Sequence, residues 1–236
     1  MLRNDTVQVW ALTLEGDEAE RAGCRSVLSA AERDRAERFR FDALRASYEL
    51  SHGMLRYILG SLCDVEPAAV DFIHGEHGKP ALSPECQPRH APLSFNLSHS
   101  HRRALVAVST GREVGIDIEQ IDTRTSALSI ADSYFCAPEL AAIQSAPEGE
   151  THDMFFRYWT AKEAVLKAQG CGLTVPLHSF CVVFDPDFRR AHAETSDRSR
   201  FPADWQVVTL PIESGWHAAV AAGLPEWQIQ HVEALV

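Results

Sequence analysis

Two short runs carry the most suggestive ionisable chemistry of this chain. Val114–Glu119 reads VGIDIE and Trp159–Lys167 reads WTAKEAVLK. The first has the make-up of a short buried strand. Asp117 and Glu119 then project to one face, while Ile116 and Ile118 project to the other. The second has the make-up of a helix, on which Glu163 and Lys167 lie one turn apart on the same side. Three carboxylates and an ammonium on two rigid elements suit a divalent cation together with a phosphate group. Mg²⁺ takes one or two protein carboxylates and completes its shell with phosphate oxygens and water. Each run also has a plainer explanation: a solvated strand face for the first, surface charge pairing for the second. The apolar setting VGIDIEQI argues against the plainer one, because an unpartnered carboxylate is costly there.

The elements that must hold these residues can be read in order. Residues 7–14, VQVWALTL, alternate as an opening strand. Ser29, with Glu32 three residues on, forms a capping box that opens the stretch SAAERDRAERF. Arg33, Arg35, Arg38, Arg40 and Arg45 alternate there with acidic residues. That is the pattern of an exposed, ion-paired helix from which one or two arginines could reach an anion. Leu44, Tyr48, Leu55, Ile58 and Leu59 predict a helix over 43–62, with His52 and Arg56 one turn apart and, taken alone, on its surface. A short turn with Pro67 at its first position follows.

VDFIHGEHGKPAL then predicts a strand entering the turn Gly75–Pro80. Its glycines permit close backbone approach and Lys79 adds a cation, although the context is not that of a Walker A loop. Ser83–Pro92 reads as loop, and LSFNLSHS as a strand ending in Ser98-His99-Ser100. Adjacent in sequence, Ser98 and His99 make a poor nucleophile and base. ALVAVS, the turn TGRE and VGIDIE pattern as an antiparallel hairpin. Residues 121–131 join the halves. Helices are expected at Pro138–Ile143 and Asp153–Ala168, the second stopped by Gly170 and Gly172. SFCVVF, WQVVTLPI, GWHAAVAAG and WQIQHVEAL read as strands, Asp185–Asp204 and Glu213–Gly215 as loops, and 189–200 as mobile.

A faint echo links the halves, since each sets one long helix before a group of strands. The expected fold is α+β: a pseudo-twofold pair of similar units, 1–112 and 113–236, each a long helix packed on a small antiparallel sheet. Clefts at such junctions are favoured ligand sites.

These runs together resemble the 4′-phosphopantetheinyl transferases, specifically the two-half type that activates surfactin synthetase. The residues carrying the resemblance are Gly115-Ile116-Asp117-Ile118-Glu119 and, some forty residues later, Trp159-Thr160-Ala161-Lys162-Glu163-Ala164-Val165-Leu166-Lys167. Gly78-Lys79-Pro80 and Phe95-Asn96-Leu97-Ser98-His99-Ser100 add to it. The resemblance implies transfer of the phosphopantetheine arm of coenzyme A to a serine of an apo carrier protein of acyl, peptidyl or polyketide type, with release of 3′,5′-ADP. It implies Mg²⁺ or Mn²⁺ on Asp117, Glu119 and Glu163, with Glu163 or a water it orients as base. Lys167 would neutralise phosphate charge and Lys162 assist by position. Lys79 and Pro80 would flank the adenine, and Ser98 and His99 would contact phosphates. For the 3′-phosphate, Arg35, Arg45 and Arg56 stay open, since His52 stands where many relatives have an arginine. Two other functions stay open as well: a metal-dependent nucleotide pyrophosphate hydrolase, and a non-catalytic carrier-binding module.

Composition sets outer bounds. The chain has 236 residues, 45% apolar and 23% charged, ordinary values for a globular protein with a real core. No run is long and apolar enough to span a bilayer, and MLRNDTVQVWALTLEGDEAE lacks the apolar core of a signal peptide, so a cytoplasmic monomer away from membranes is expected. A net charge of −11 disfavours nucleic acid and implies that any basic surface for an acidic carrier is local. The six cysteines show no CxxC and are expected as free thiols; the eleven histidines show no ligand spacing.

Overall fold

Alternating apolar strands build two separate sheets in the computed structural model, which describes residues 3–89, 91–195, 198 and 204–232, apart from the side chain of Leu173. The first half runs β1 (Thr6–Thr13), α1 (Glu18–Val27), α2 (Ala30–Glu37), α3 (Asp42–Cys63), β2 (Phe72–His74), β3 (Pro80–Leu82), β4 (Leu93–Ser100) and β5 (Arg103–Thr110). The second runs β6 (Val114–Gln120), α4 (Ala127–Tyr134), α5 (Ala137–Gln144), α6 (Thr151–Gln169), β7 (Cys181–Phe184), β8 (Arg190–Glu194), β9 (Trp205–Thr209), β10 (Trp216–Gly223) and β11 (Gln228–Val232). The sheet orders are β11-β1-β5-β4 and β6-β10-β9-β8-β7, with β2 and β3 a separate pair.

Strand alternation sets the layers. Val7, Val9, Leu105 and Ala107 of the first sheet pack against Ile116, Ile118 and Val220 of the second. The far face of the first sheet, with Trp10, Leu12 and Val106, buries Leu50, Leu55 and Leu59 of α3. The far face of the second, with Ala219 and Ala221, buries Ala161, Ala164 and Ala168 of α6. Each half is thus one long helix on one sheet, and the two sheets meet back to back. That is the expected pseudo-twofold α+β design. The Ser29–Glu32 capping box forms, each side chain accepting from the other's backbone N–H, and Gly170 ends α6 at φ 72°. Among the described residues no helix is long and apolar enough to cross a membrane.

Several expectations are corrected here. β5 and β6 are not a hairpin: β5 pairs with β1 and β4, while β6 pairs with β10 in the other sheet. The turn at Gly111, φ 70°, carries the chain between sheets. Period-two alternation does not name a partner strand. The last strand leaves the second half to lie parallel with β1, so the unit 113–236 does not keep all its strands to itself. The expected loop 185–204 contains β8, held between β7 and β9; residues 196, 197 and 199–203 lie outside the described residues, as do 233–235 of the last predicted strand. Cys136 and Cys181 are not free thiols but form a disulfide, with Cα atoms 5.8 Å apart. Glu139 brings them together by accepting from Cys136 N and Val182 N, which no spacing in the sequence reveals. The other four cysteines are free.

Candidate functional site

The site begins with a glycine. A Cβ on Gly115 would fall 2.1 Å from the carbonyl oxygen of Ala164 and 2.2 Å from the amide nitrogen of Ala168. Only a bare backbone lets α6 come this close to β6, and that approach sets Glu163 and Lys167 beside the strand's carboxylates.

Asp117 is 2% exposed. Its Oδ1 accepts from Lys167 Nζ at 2.6 Å and from Ser98 Oγ at 2.9 Å, and Lys167 also donates to Ser98 at 3.0 Å. Its Oδ2 is buried without a partner. Glu119 accepts from Ser100 Oγ at 2.9 Å. Burial, reinforced by Asp117, pushes its carboxyl up to about 7. Glu163 is raised too, first by burial and then by Asp117, with Lys167 opposing. Three crowded carboxylates and one lysine leave a surplus of negative charge that a cation would neutralise.

The chemistry of the donors fits a divalent cation with fewer protein ligands than expected. Among the described residues no three Asp, Glu, His or Cys side chains converge as one chelating group. The Lys167 ammonium sits on one oxygen of Asp117 and the Ser100 hydroxyl on one of Glu119. Mg²⁺ needs only one or two carboxylates when phosphate oxygens complete its shell, and the orphaned Oδ2 of Asp117 is one ready oxygen.

Cationic and imidazole groups continue from this cluster into the first half. His99 is lowered by burial and by Lys167. His52, lowered by burial to about 4, feels His99 and Arg35, and its ring stacks on Tyr48 at 3.8 Å. The Arg35 guanidinium lies over the other partner of that stack, 5.7 Å from the Tyr48 ring centre. Arg35 and His99 therefore both lie close to His52. A cavity of about 270 Å³ opens on Glu163, Lys167 and Asn96 and is lined by Lys79 and Pro80. A second cavity, of about 660 Å³, shares Lys79, Pro80 and Gly170. A larger one, of about 820 Å³, lies between α1, α3 and β1 and touches none of these residues.

Three expected roles meet a different arrangement. Lys162 is fully buried and points away from Asp117: its ammonium donates to both oxygens of Glu139 at 2.7 and 2.8 Å and to Phe180 O at 2.7 Å. It braces α6 against α5 and β7, because five residues from Lys167 it emerges on another side of the helix. Arg56 is 2% exposed, bonded to Glu32 and to the carbonyls of Pro67 and Val70, so its guanidinium is spent on holding α2 and the turn onto α3. The Lys79 ammonium donates to Glu113, Val114 O and Ala168 O, leaving its stem rather than its charge along the cavity. Arg45, the remaining candidate for a phosphate, donates to Phe39 O and lies near Asp42.

Sequence reasoning named His52 only as standing where many relatives have an arginine, and passed over Tyr48, Asn96 and Ser100 as site residues. The last two had a signal: Asn96, Ser98 and Ser100 are polar at alternate positions of a strand whose other residues bury Phe95 in the core.

Both halves of the chain are similar to known proteins. Residues 113–221 match the 4′-phosphopantetheinyl transferase superfamily, and residues 16–111 match the family described as 4′-phosphopantetheinyl transferase, N-terminal. The 4′-phosphopantetheinyl transferase HetI of Nostoc sp. is 35% identical over 96% of this chain and 92% of its own. The putative 4′-phosphopantetheinyl transferase slr0495 of Synechocystis sp. is 28% identical over 80% and 74%. The transferase Sfp of Bacillus subtilis is 30% identical over 86% and 85%. With both halves matched and the GIDIE and WTAKEAVLK runs meeting at one cluster, the chain belongs to the Sfp-like 4′-phosphopantetheinyl transferases, a family of enzymes.

Proposed function

We propose that the protein transfers the 4′-phosphopantetheine arm of coenzyme A to a serine hydroxyl of an apo carrier protein, with release of 3′,5′-ADP. The serine oxygen forms a bond to the phosphorus that carries the arm. The bond from that phosphorus to the bridging pyrophosphate oxygen breaks, and the serine proton passes to a base.

The observation that carries this reading is the buried, unpartnered Oδ2 of Asp117 beside Glu163 and Lys167. In this reading Asp117, with Glu119 or Glu163, would hold Mg²⁺, which when bound would draw charge from the pyrophosphate. Glu163, held above the usual carboxylate range by burial, is the base for the serine proton, directly or through a water. Lys167 balances charge on the phosphates, and its bonds to Asp117 and Ser98 hold it in place before substrate arrives. His99 and Arg35 extend the anion-binding surface towards the 3′-phosphate, while Pro80 and the Lys79 stem make an apolar wall for the adenine. The domain roles follow: nucleotide contacts come chiefly from 1–112, cation and base from 113–236.

The test is mass spectrometry of apo acyl and peptidyl carrier proteins incubated with this protein, coenzyme A and Mg²⁺. The expected result is the mass gain of one phosphopantetheine arm on a single serine. ADP release at the same rate with no carrier present would instead favour pyrophosphate hydrolysis. An unmodified carrier that nevertheless co-purifies would favour the binding module.

A further inference from the structure

β4 and β6 belong to different sheets and share no backbone ladder. What joins them is a row of side chains. Asn96 Oδ1 accepts from Ile116 N at 2.9 Å, Ser98 Oγ donates to Asp117 at 2.9 Å, and Ser100 Oγ donates to Glu119 Oε2 at 2.9 Å. Every second residue of one edge strand thus pins a position on the other, and two of the three bonds fall on carboxylates of the proposed site.

The two carboxylates are held unequally. Asp117 has Lys167 as well as Ser98. Among the described hydrogen bonds, Glu119 has Ser100 alone. The direction of that hydroxyl is set by its surroundings. The backbone N–H of Gln120 can only donate, and it does so to Ser100 Oγ at 3.3 Å. That uses a lone pair and leaves the hydroxyl proton for Glu119. His101 Nδ1, 3.2 Å from the same oxygen, adds a second donor in the tautomer that carries its proton there. Ser100 is 7% exposed, so bulk water does not readily replace it.

Building on the cation-dependent transfer proposed above, we infer that Ser100 is a positioning residue: its hydroxyl fixes the Glu119 carboxylate as a donor to the divalent cation. It does so from the other half of the molecule, so the cation site is complete only when the halves are packed together. Partners of this kind orient ligands without touching the metal, and their loss typically weakens metal binding by roughly 10–100-fold.

Mn²⁺ binding, followed by electron paramagnetic resonance with 3′,5′-ADP present, reads this without turnover. Ser100→Ala should bind Mn²⁺ roughly 10–100-fold more weakly, with the fold retained by circular dichroism. Ser100→Thr, which keeps the hydroxyl, should recover most of the loss. Wild-type affinity in Ser100→Ala overturns the inference. So does a loss that Thr fails to recover and that comes with a lowered midpoint, since that marks packing alone. Asp117→Ala serves as the control for the cation site itself: if it binds Mn²⁺ as tightly as wild type, the proposed site is wrong, whatever Ser100 does.

Discussion

Lys162 and Lys167 stand on the same helix and each holds a carboxylate, yet their surroundings are opposites. Around Lys162 all valences are used. Its three protons go to Glu139 Oε1, Glu139 Oε2 and Phe180 O, while Glu139 also accepts from Cys136 N and Val182 N. Around Lys167 the balance is left open. Asp117 keeps a buried oxygen with no partner, two further carboxylates crowd it, and Lys167 itself is 29% exposed where Lys162 is not exposed at all. A buried ion pair whose hydrogen bonds are complete braces the fold. One that is incomplete and reachable from solvent waits for something to complete it.

The comparison breaks most visibly at the open pair. Asp117→Ala should abolish phosphopantetheine transfer while circular dichroism and thermal unfolding stay near wild type, since Lys167 retains solvent. Wild-type turnover in that variant would mean that the orphaned oxygen is not functional.

Glu163→Gln keeps shape and one carbonyl oxygen but removes the charge and the basicity. Coenzyme A should still bind, with kcat falling by the ~10²–10⁴ of a lost general base, and the rising pH limb of the wild type should disappear. Near-normal kcat with the limb intact would move the base elsewhere in the cluster.

At the closed pair the effect should appear in stability rather than in a selective loss of chemistry. Lys162→Met strands Glu139 in the core and should cost about 3–5 kcal/mol, read as a fall in thermal midpoint on the order of 10 °C. The double variant Lys162→Met with Glu139→Leu should recover much of it, because no buried charge is then left alone. A single variant that unfolds normally but turns over slowly would place Lys162 in the catalytic group after all.

The smallest effect sharpens the contrast through pH. Glu119, raised to about 7 by burial, binds a proton more tightly folded than unfolded. Its contribution is therefore fully present below its unfolded value near 4.5 and is lost as pH rises through about 7. In the metal-free protein, Glu119→Gln should gain stability relative to wild type between about pH 5 and pH 8, by thermal unfolding at each pH. An unchanged difference across that window would place Glu119 in solvent.

Some of this was written in the sequence and some was not, and the division follows the range of the forces involved. Asp117 with Glu119, and Glu163 with Lys167, could be paired from spacing alone, because strand and helix periodicity act within one element. The Ser29 box and the stop at Gly170 are equally local. Ser98, two positions along its own strand from Ser100, was legible as a motif residue, but its bond to Asp117 spans nineteen residues and two sheets. Which lysine of WTAKEAVLK faces the carboxylates depended on how α6 settles onto Gly115. Arg56 looked like a surface cation until α2 laid Glu32 against it. The alternation of VGIDIE decided its faces but not its partner, which is β10 and not the neighbouring β5. Cys136 and Cys181 meet only because Glu139 ties helix α5 to β7. Periodicity and caps are settled by a residue and its nearest neighbours. Partner strands, closed ion pairs and the orphaned oxygen of Asp117 are settled by whichever packing of whole elements buries the most apolar surface with the fewest unpaired charges, and a linear pattern does not contain that comparison.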